Sequence, residues 1–438
     1  MRLPGPAVQP QKRPHQRDPS TRGPGQSAHY SRAMALIGEV SDPRKKSLAV
    51  KAGLSLAVVP LALASLVVAS GTASAQPPAA GQRVAFWGSF AGSGSRHLTP
   101  ATGTLPGPVA EVGTSNSTVY ALLTSGSVYA WGTGTRGQLG NGRTANSFTT
   151  PVRVRFPAGV RIASIAVNSG PWDTTFAIDD TGHVWGWGAN GSGDMCLGNA
   201  REYRKPVRLP FRDVTAVAGA ADHATYDAGG RLYSCGMGIY GELGDGSTRS
   251  SKVPVRVAGL SGASVTALTA GFGDTGALLS DGQYYDWGLN SQGQAGDGTS
   301  GPSVDRPVHV RLPRPVTQVF EGGNAPADGQ TLVRLSNGTV YAWGSDGAYQ
   351  LGDGKRTAEP SPVRISPPHG VTYQAVASGG DTSYGVSADG HVYAWGAGKS
   401  GAVGDGTRQP ARTPVRVEHG ATGLISATSD VVAVALRR

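Results

Sequence analysis

The sequence is poor in cysteine and lacks the signatures of several large enzyme classes. It contains only two cysteines and four methionines among 438 residues. No Gly-x-Ser-x-Gly, His-Glu-x-x-His, Walker A or kinase motif occurs, which argues against the enzymes that depend on those motifs. Apart from one apolar segment near the N-terminus, no hydrophobic run approaches the ~18 residues of a membrane-spanning helix. No helical 3.6-residue period persists after Gln76, so the pattern disfavours a helical fold.

The positive charge of the chain is concentrated before residue 76. The formal net charge is +10, but the first 75 residues hold ten of the 39 Lys/Arg and only three of the 29 Asp/Glu. The rest of the chain therefore carries a net charge of only +3. It has no block of Lys/Arg interleaved with aromatic residues. This distribution argues against a nucleic-acid partner.

Residues 1–75 have the order of segments that is typical of a secretory signal. Basic residues at 44–51 precede an apolar segment at 54–68, and an Ala-Ser-Ala sequence ends at Ala75. We expect cleavage after Ala75 and a secreted, extracellular mature chain of residues 76–438 without membrane association. A retained membrane anchor is the alternative. Either Met1 or Met34 can be the translation start.

One phrase recurs along the mature chain. Residues 340–354 read VYAWGSDGAYQLGDG, and residues 128–142 read VYAWGTGTRGQLGNG. Related copies begin at residues 184, 232, 284 and 392, and the first of these is two residues longer before its Leu197. A shorter VAFWG lies at 84–88, and the intervals between Trp-Gly positions run from 44 to 56 residues. Such intervals are typical of propeller blades rather than helical solenoids.

Each repeat contains four short apolar or aromatic runs between Gly and Asp-Gly turns, which predicts four strands. A Pro-Val pair opens the first run, where an edge strand tolerates proline. Seven Trp-Gly positions and seven Pro-Val pairs predict an all-β, seven-bladed β-propeller. Residues 84–88 form a Trp-Gly strand without the strands that normally precede it, and residues 423–436 match the second and third strands of a repeat without a Trp-Gly strand. We therefore expect N- and C-terminal strands to form one blade together and close the ring. The Pro-Val pairs begin at Pro108, Pro151, Pro206, Pro254, Pro307, Pro362 and Pro414.

The Trp of each phrase is expected to be a buried structural anchor, and Leu351 a plug between blades. Cys235 takes the place of Trp in the copy at 232–246. Cys196 and Cys235 either form a disulfide between adjacent blades, or Cys235 fills the Trp site as a small apolar residue. The expected anchors are Trp87, Trp131, Trp187, Trp287, Trp343 and Trp395.

No cofactor or metal site is expected. The seven His of the mature chain stand singly. Each Gly-Asp-Gly loop offers one carboxylate, whereas a calcium loop needs several oxygen ligands within ~12 residues.

Strand alternation predicts which connections share a face of the propeller. Counted from the Pro-Val strand, the turn after the second strand of a repeat lies on the same face as the exit from the Trp-Gly strand. The Asp-Gly hairpin that precedes the Trp-Gly strand lies on the other face. Tyr, Trp and Arg are typical anchors of protein interfaces, although single exposed aromatics also occur on inert surfaces. The predicted binding face carries Trp172, His223, Phe272, Tyr240, Tyr349, Arg136 and Lys399.

The phrase VYAWGxxxxGQLGDG followed by PVRV resembles the RCC1 (regulator of chromosome condensation) repeat, and the resemblance covers residues 82–438. It implies a seven-bladed β-propeller, often closed by strands from both termini. The founding member is a nuclear guanine-nucleotide exchange factor that also binds chromatin. Secreted bacterial relatives include β-lactamase-inhibitory propellers. This sequence differs from the founder in its export leader and in lacking a long insertion within a blade.

We interpret the chain as a secreted, monomeric RCC1-like propeller that binds an unidentified protein through one face and is not an enzyme. Three alternatives stay open: an enzyme inhibitor of the β-lactamase-inhibitory type, a guanine-nucleotide exchange factor-like regulator, and a hydrolase or lyase with its site at the channel mouth. The last would use carboxylates that recur at similar positions in the blades, namely Asp173, Asp222, Asp274 and Asp381.

Overall fold

The computed structural model describes residues 83–89, 96–115, 117–167, 174–220, 222–323, 325, 327–398, 401–418, 421–427 and 431–436. The leader and the predicted cleavage site lie outside these residues. All the secondary-structure elements within these residues are β-strands, in keeping with the short apolar runs between Gly-rich turns. In this part of the chain, no helix is long and apolar enough to cross a bilayer.

The first two strands, β1 (Arg83–Ser89) and β2 (Arg96–Thr104), pair with each other in antiparallel fashion. The strands that follow form six sheets of four consecutive strands each, which we call blades 1 to 6. Blade 1 consists of β3 (Val109–Thr114), β4 (Thr118–Leu123), β5 (Val128–Gly132) and β6 (Ser147–Arg153). Blade 2 consists of β7 (Ile162–Val167), β8 (Thr174–Asp179), β9 (Val184–Gly188) and β10 (Tyr203–Arg208). Blade 3 consists of β11 (Val214–Ala220), β12 (His223–Ala228), β13 (Leu232–Gly236) and β14 (Ser251–Arg256).

The same order continues in the second half of the ring. Blade 4 consists of β15 (Val265–Ala270), β16 (Asp274–Leu279), β17 (Tyr284–Leu289) and β18 (Ser303–Val310). Blade 5 consists of β19 (Val316–Gly322), β20 (Gln330–Leu335), β21 (Val340–Gly344) and β22 (Glu359–Arg364). Blade 6 consists of β23 (Tyr373–Gly379), β24 (Thr382–Ser387), β25 (Val392–Gly396) and β26 (Ala411–Glu418).

The position of a strand in its blade decides how deeply it is buried. The first strands, from β3 through β23, contact one another in chain order around the centre of the molecule. The second and third strands are almost entirely buried, because neighbouring blades pack on both of their faces. The fourth strands are mostly exposed or half-buried and have a partner on one side only. Proline fits there because an edge strand does not need every N–H for pairing.

The two ends of the chain share a further four-stranded sheet. Its strands are β2, β1, β28 (Val431–Leu436) and β27 (Ala421–Ala427), in that spatial order. The registers of β1 and β28 run from Val84 opposite Ala435 to Gly88 opposite Val431. On the inner side, β27 contacts both β23 and β3, so this sheet lies between blade 6 and blade 1.

The prediction of a seven-bladed propeller is wrong, and the described residues contain six blades built from four consecutive strands each. Six of the seven Pro-Val pairs lie in fourth strands. Pro108 does not: it precedes β3, the innermost strand of blade 1. Proline is also tolerated at the start of a strand, so the pair alone did not identify an outer strand. The outer strand of the terminal sheet, β2, reads RHLTPATGT and has no Pro-Val pair. We therefore count that sheet apart from the six blades.

The hydrophobic core consists of side chains that pack between neighbouring blades. Leu351, in the long loop of blade 5, is fully buried in the same cluster as Tyr384 and Trp395 of blade 6. The cluster continues to Ile425 of β27. Each fully buried side chain of this kind contributes about 1.5–3 kcal/mol from the transfer of apolar surface out of water. The blades are thus held by one another, and they fix the loops that emerge from them.

Candidate interaction surface

The two faces of the propeller carry different connections. The face that we call the loop face carries the turn after the first strand and the long loop after the third strand of each blade. The opposite face, the hairpin face, carries the hairpin between the second and third strands and the crossover to the next blade.

The buried Trp anchors of the third strands support the long loops of the loop face. Five of them are at most 1 % exposed: Trp131, Trp187, Trp287, Trp343 and Trp395. The side chain of Trp87 lies outside the described residues. Four anchors donate from Nε1 to a backbone carbonyl in the long loop of the preceding blade. These bonds run from Trp187 to Gln138 (2.9 Å), Trp287 to Glu242 (3.0 Å), Trp343 to Gln294 (2.8 Å) and Trp395 to Gln350 (3.1 Å).

The loop residue whose carbonyl accepts this hydrogen bond has a fixed position in the repeated phrase, and its role was not predicted from the sequence. In blade 5 it is Gln350, directly before the buried plug Leu351. Gly352 follows with a φ of +73°, and a Cβ at this position would lie 2.5 Å from Cδ1 of Trp395. Only glycine fits there, because both the backbone conformation and the indole exclude a side chain. The signal in the sequence was a Gln or Glu two residues before a Gly, which recurs at positions 138, 242, 294 and 350.

A disulfide joins the blades where this Trp is missing. Cys235 of β13 occupies the anchor position of blade 3, and it is bonded to Cys196 in the long loop of blade 2, with a Cα–Cα distance of 5.5 Å. Met195 is the buried plug of that loop, while Leu197 is half-buried. Cys196 therefore corresponds to Gly352, and it too has a positive φ, of +57°. The loop therefore has the same length as the others, and the interpretation of this copy as two residues longer was wrong.

An apolar patch lies on the loop face at blades 3 and 4. Ile239 and Tyr240 are in the long loop after β13, and Phe272 is in the turn between β15 and β16. The Ile239 side chain is 53 % exposed, and the two aromatic side chains are half-buried. The Tyr240 ring lies against Gly273, where a Cβ would be 2.8 Å from its Cδ2 atom. We call Ile239, Tyr240 and Phe272 the loop-face patch.

The loop that carries the patch is held by a buried carboxyl group. Glu242 is 1 % exposed, and its Oε2 accepts a hydrogen bond from the backbone N–H of Tyr240 at 2.7 Å. Burial raises the pKa of Glu242 to about 7. Its backbone carbonyl accepts the Trp287 bond described above and a further bond from the Thr275 hydroxyl at 2.9 Å. Three bonds to one residue therefore fix the loop between the two blades.

The placement of His223 on the exposed surface was wrong. His223 begins β12, is only 1 % exposed, and its Nε2 lies 2.8 Å from the hydroxyl of Thr275 in the next blade. Burial lowers the pKa of its imidazole to about 4, so the ring is neutral at pH 7. The side chain alternates inwards at the first position of the strand, and it acts as a polar link between blades 3 and 4.

The other residues of the predicted binding face differ in how far their side chains are already engaged in contacts within the protein. Tyr349 is half-buried with a φ of +68°, and the guanidinium carbons of Arg356 and Arg412 lie 5.2 and 5.3 Å from its ring centroid. Arg136 is 30 % exposed and donates to Glu202 at 2.6 Å. Arg136 is thereby tied to the long loop of blade 2, and Tyr349 to its own loop and to β26 of blade 6. Trp172 and Lys399 lie outside the described residues.

The recurring carboxylates have separate environments. Asp274 is 1 % exposed, and burial holds its pKa well above the ordinary range. Asp222 accepts a hydrogen bond from the Ser192 hydroxyl at 2.8 Å, and Asp381 accepts one from the Gln350 amide at 3.3 Å. Asp173 lies outside the described residues. Asp222 and Asp381 thus accept hydrogen bonds from the long loop of the preceding blade, while Asp274 is buried at the start of β16. In the described part of the chain, no three His, Cys, Asp or Glu are grouped as metal ligands.

Comparison with known proteins identifies the repeat. The sequence profile of the Regulator of chromosome condensation (RCC1) repeat matches residues 125–170, 181–226, 229–278, 337–386 and 389–435, more than half of the chain. The human E3 ubiquitin-protein ligase HERC2 is 31 % identical over 314 residues, which cover 70 % of this chain. The chain spans only 6 % of the length of HERC2 from human or mouse. The ultraviolet-B receptor UVR8 of Arabidopsis thaliana is 29 % identical over 315 residues, which cover 69 % of each chain.

Solved structures have the same fold. Human WBSCR16 is similar with a TM-score of 0.70 and 19 % identity, covering 81 % of this chain and 99 % of that chain. Prp20p from Saccharomyces cerevisiae is similar with a TM-score of 0.68 and 20 % identity, covering 83 % of this chain and 93 % of that chain. Identity at this level shows the fold alone. Because the repeat profile covers more than half of its length, the chain belongs to the family of RCC1-repeat proteins, and it has an all-β propeller fold.

Proposed function

We propose that this chain is a secreted protein-interaction module that binds a partner protein through the loop-face patch and has no catalytic activity of its own. The exposed Ile239 beside the half-buried Tyr240 and Phe272 carries the proposal. Exposed aromatic and aliphatic side chains on rigid loops are typical of the energetic centre of a protein interface.

The contrast with the rest of the surface supports this choice of site. Among the described residues, Ile239 and Val253 are the large hydrophobic side chains that are exposed, and both belong to blade 3. Arg136, the charged member of the predicted face that the structure describes, is already bound to Glu202 within the molecule. A partner that covers Ile239 removes apolar surface from water without breaking an internal contact.

Relatives with this fold support a protein partner rather than a small molecule. The structure of Prp20p was reported together with its binding to Gsp1p and histones. A second structure shows Kap60 bound to the same yeast protein. These partners belong to Prp20p, and they support here only that an RCC1-type propeller presents a surface for other proteins.

The disulfide between Cys196 and Cys235 supports the proposed secretion. Disulfides form and persist in oxidising compartments and are rare in the cytosol. In this chain the bond replaces a link that other blades make with a Trp, which needs no oxidation. Export through the N-terminal signal would supply the compartment that this link requires.

The test is capture of partners from culture supernatant by the native chain and by matched variants. We expect a protein captured by the native chain to be lost with Ile239→Ser/Phe272→Ala, which truncates the patch. Val253→Ser removes an equally exposed aliphatic side chain outside the patch, and Arg231→Ala changes the hairpin of the same blade. Both controls should retain the partner, and all variants should keep the native melting temperature.

The opposite pattern would show that the wrong face was chosen. If Arg231→Ala releases the partner while Ile239→Ser/Phe272→Ala retains it, binding occurs on the hairpin face. If every variant retains the partner, the patch has no part in binding. Mass spectrometry of the captured protein separates an inhibited enzyme, a GTPase and another class of partner.

A further inference from the structure

The hairpin face contains a pocket that neither the repeat nor the proposed function explains. It measures about 230 Å³ and lies between the crossover that leaves blade 4 and the hairpin of blade 5. Its wall includes Pro313, Arg314, Asn337, Thr339, Tyr341 and Arg364. Two arginines therefore line one small pocket, together with residues whose side chains can donate hydrogen bonds.

The positive charge of the pocket is not neutralised from within the molecule. Arg314 and Arg364 are both exposed, and within the described residues neither side chain makes an ion pair or a hydrogen bond. No acidic residue lines the pocket. The backbone N–H of Thr339 donates to Oδ1 of Asn337 at 3.1 Å, which leaves the Asn337 amide NH₂ as a donor. The pocket thus presents donors and cations to a ligand and almost nothing that repels an anion.

The guanidinium group of a neighbouring arginine, Arg334, is hydrogen-bonded within the protein. Arg334 of β20 donates from Nε to the carbonyl of Tyr373 at 2.7 Å and from a terminal nitrogen to the Thr317 hydroxyl at 3.1 Å. Its function is to join blade 5 to blade 6. Among the described residues, Arg314 and Arg364 make no such bonds to other blades. Their guanidinium groups are therefore available to a ligand outside the molecule.

The pocket belongs to a wider band of basic residues. Arg364 of β22 lies opposite Tyr341 of β21 in the sheet, and the corresponding pair of most blades is again an exposed Arg beside a Tyr or Trp. The equivalent pairs are Tyr129–Arg153, Trp185–Arg208, Tyr233–Arg256 and Tyr393–Arg416, while blade 4 has Tyr285–His309. Beyond the pocket, blades 1, 2, 3 and 6 therefore carry an arginine at this position, and blade 4 carries a histidine.

The burial of the aromatic rings distinguishes between polyanions. Proteins that bind single-stranded nucleic acids stack the bases on exposed aromatic faces. Here none of the six rings is exposed: Trp185 and Tyr393 are buried, and the other four, Tyr129, Tyr233, Tyr285 and Tyr341, are half-buried. The band offers charge and hydrogen bonds without platforms for bases. An acidic polypeptide needs only positive charge and hydrogen-bond donors, because planar guanidinium groups match carboxylates in bidentate geometry.

We propose that this pocket binds a carboxylate side chain of an acidic protein segment, with Arg314 and Arg364 as the bidentate donors and the arginine band holding neighbouring acidic residues. The site is on the face opposite the loop-face patch, so it is independent of the proposed function.

Fluorescence anisotropy with a labelled polyglutamate peptide tests the proposal on the full mature chain. At ~0.15 M ionic strength, where exposed charges are screened beyond about 8 Å, the peptide should bind the native chain. Arg314→Gln/Arg364→Gln should weaken binding at least about tenfold, since each charge-assisted bond is among the stronger hydrogen bonds in proteins. Arg201→Gln/Arg249→Gln removes two exposed arginines from the loop face and should change Kd by less than about twofold. Arg364→Lys should not restore the affinity, because an ammonium group lacks the planar fork.

Several results would overturn the proposal. Absence of peptide binding to the native chain would do so, as would equal losses in the two arginine variants, which would reflect net charge alone. Full binding by Arg364→Lys would contradict the bidentate geometry. Tighter binding of a single-stranded oligothymidylate, lost in the same variant, would identify a nucleic acid as the ligand instead. Ile239→Ser/Phe272→Ala should bind polyglutamate like the native chain, so the two proposals can fail separately.

Discussion

Within a single repeat, adjacent residues have different functions. Trp343 is fully buried and donates to the carbonyl of Gln294 in the preceding blade. Tyr349, six positions further on, is half-buried with its ring between two arginines. The burial of the Trp anchor could be predicted from its recurrence at a fixed place. The hydrogen bond to the preceding blade could not, since it depends on a contact between residues 49 positions apart.

Truncating these two side chains should have unequal effects on stability. Trp343→Ala leaves a cavity and removes the hydrogen bond to the Gln294 carbonyl, and should lower the free energy of unfolding by about 3–5 kcal/mol. Tyr349→Ala removes partly exposed cation–π contacts and should cost less than about 1 kcal/mol. Chemical denaturation of both variants measures the difference. Equal losses would contradict the division of the phrase into scaffold and surface.

Buried carboxyl groups should make the protein less stable as the pH rises. Glu111 is 5 % exposed, its Oε2 accepts the backbone N–H of Ile165 in the next blade at 3.1 Å, and burial raises its pKa from 4.5 to about 8. Between those two pH values the folded state holds a proton that the unfolded state has released. The stability associated with this group is therefore fully present below pH 4.5 and is lost as the pH rises towards 8.

Glu111→Gln isolates this contribution, because its amide oxygen still accepts the Ile165 bond but no longer titrates. The native free energy of unfolding should fall more steeply than that of the variant between pH 4.5 and 8, by an amount of the order of a few kcal/mol. Burial also raises the pKa of Asp194, Glu242, Glu321 and Asp346 to about 7, so the variant keeps part of the decline. Denaturant titrations across this range give both slopes. Parallel curves for the native chain and the variant would contradict the assignment.

At the scale of strands and loops, the Trp–carbonyl hydrogen bonds and the single disulfide make the same connection. Cys196 and Cys235 join the loop of blade 2 to the third strand of blade 3. The sequence left open whether the two cysteines bond, because Cys235 could equally fill the Trp site as a small apolar residue. The packing of the loop settles this question, since Met195 is its buried plug and Cys196 lies next to Cys235.

Removing the disulfide should destabilise the whole fold rather than one loop. The bond spans 39 positions, and Cys196→Ser/Cys235→Ser should reduce the free energy of unfolding by about 2–5 kcal/mol. The native chain with a reducing agent should show the same decrease in melting temperature. A double Ser variant as stable as the oxidised native chain would show that the blades are held without this bond.

The strands along the chain were the most predictable property at this scale, and their grouping into blades the least. The Pro-Val strand was expected to open its repeat, but it is the fourth strand of the preceding blade, where Arg364 lies opposite Tyr341. Alternating apolar runs and Asp-Gly turns identified the strands correctly in each repeat. Pro108 was misread because proline suits two different places, the start of an inner strand and an outer edge. His223 was misplaced because a one-residue shift at the start of β12 moves a side chain from the surface to the space between blades.

At the scale of the whole molecule, the pairing of the two chain ends determines whether the sheets meet around the ring. β1 pairs with β28, and β27 contacts the first strands of blades 1 and 6. Deletion of residues 423–438 removes β28 and most of β27. The truncated chain should expose the edge of β1, melt at a lower temperature and aggregate, because an unpaired strand edge recruits other chains. Light scattering and thermal denaturation test this, and a monomeric truncated chain with the native melting temperature would contradict it.

The most direct test of the proposed interaction is amide hydrogen exchange of the mature chain, alone and with a partner recovered from culture supernatant. The central claim is that the fixed loops of blades 3 and 4 present the binding surface. Protection on binding should therefore be concentrated in residues 237–241 and 271–273, with no change at residues 229–231 and 280–283 in the hairpins of the same two blades. Protection of those hairpins, with unchanged exchange in the two loop segments, would contradict the claim.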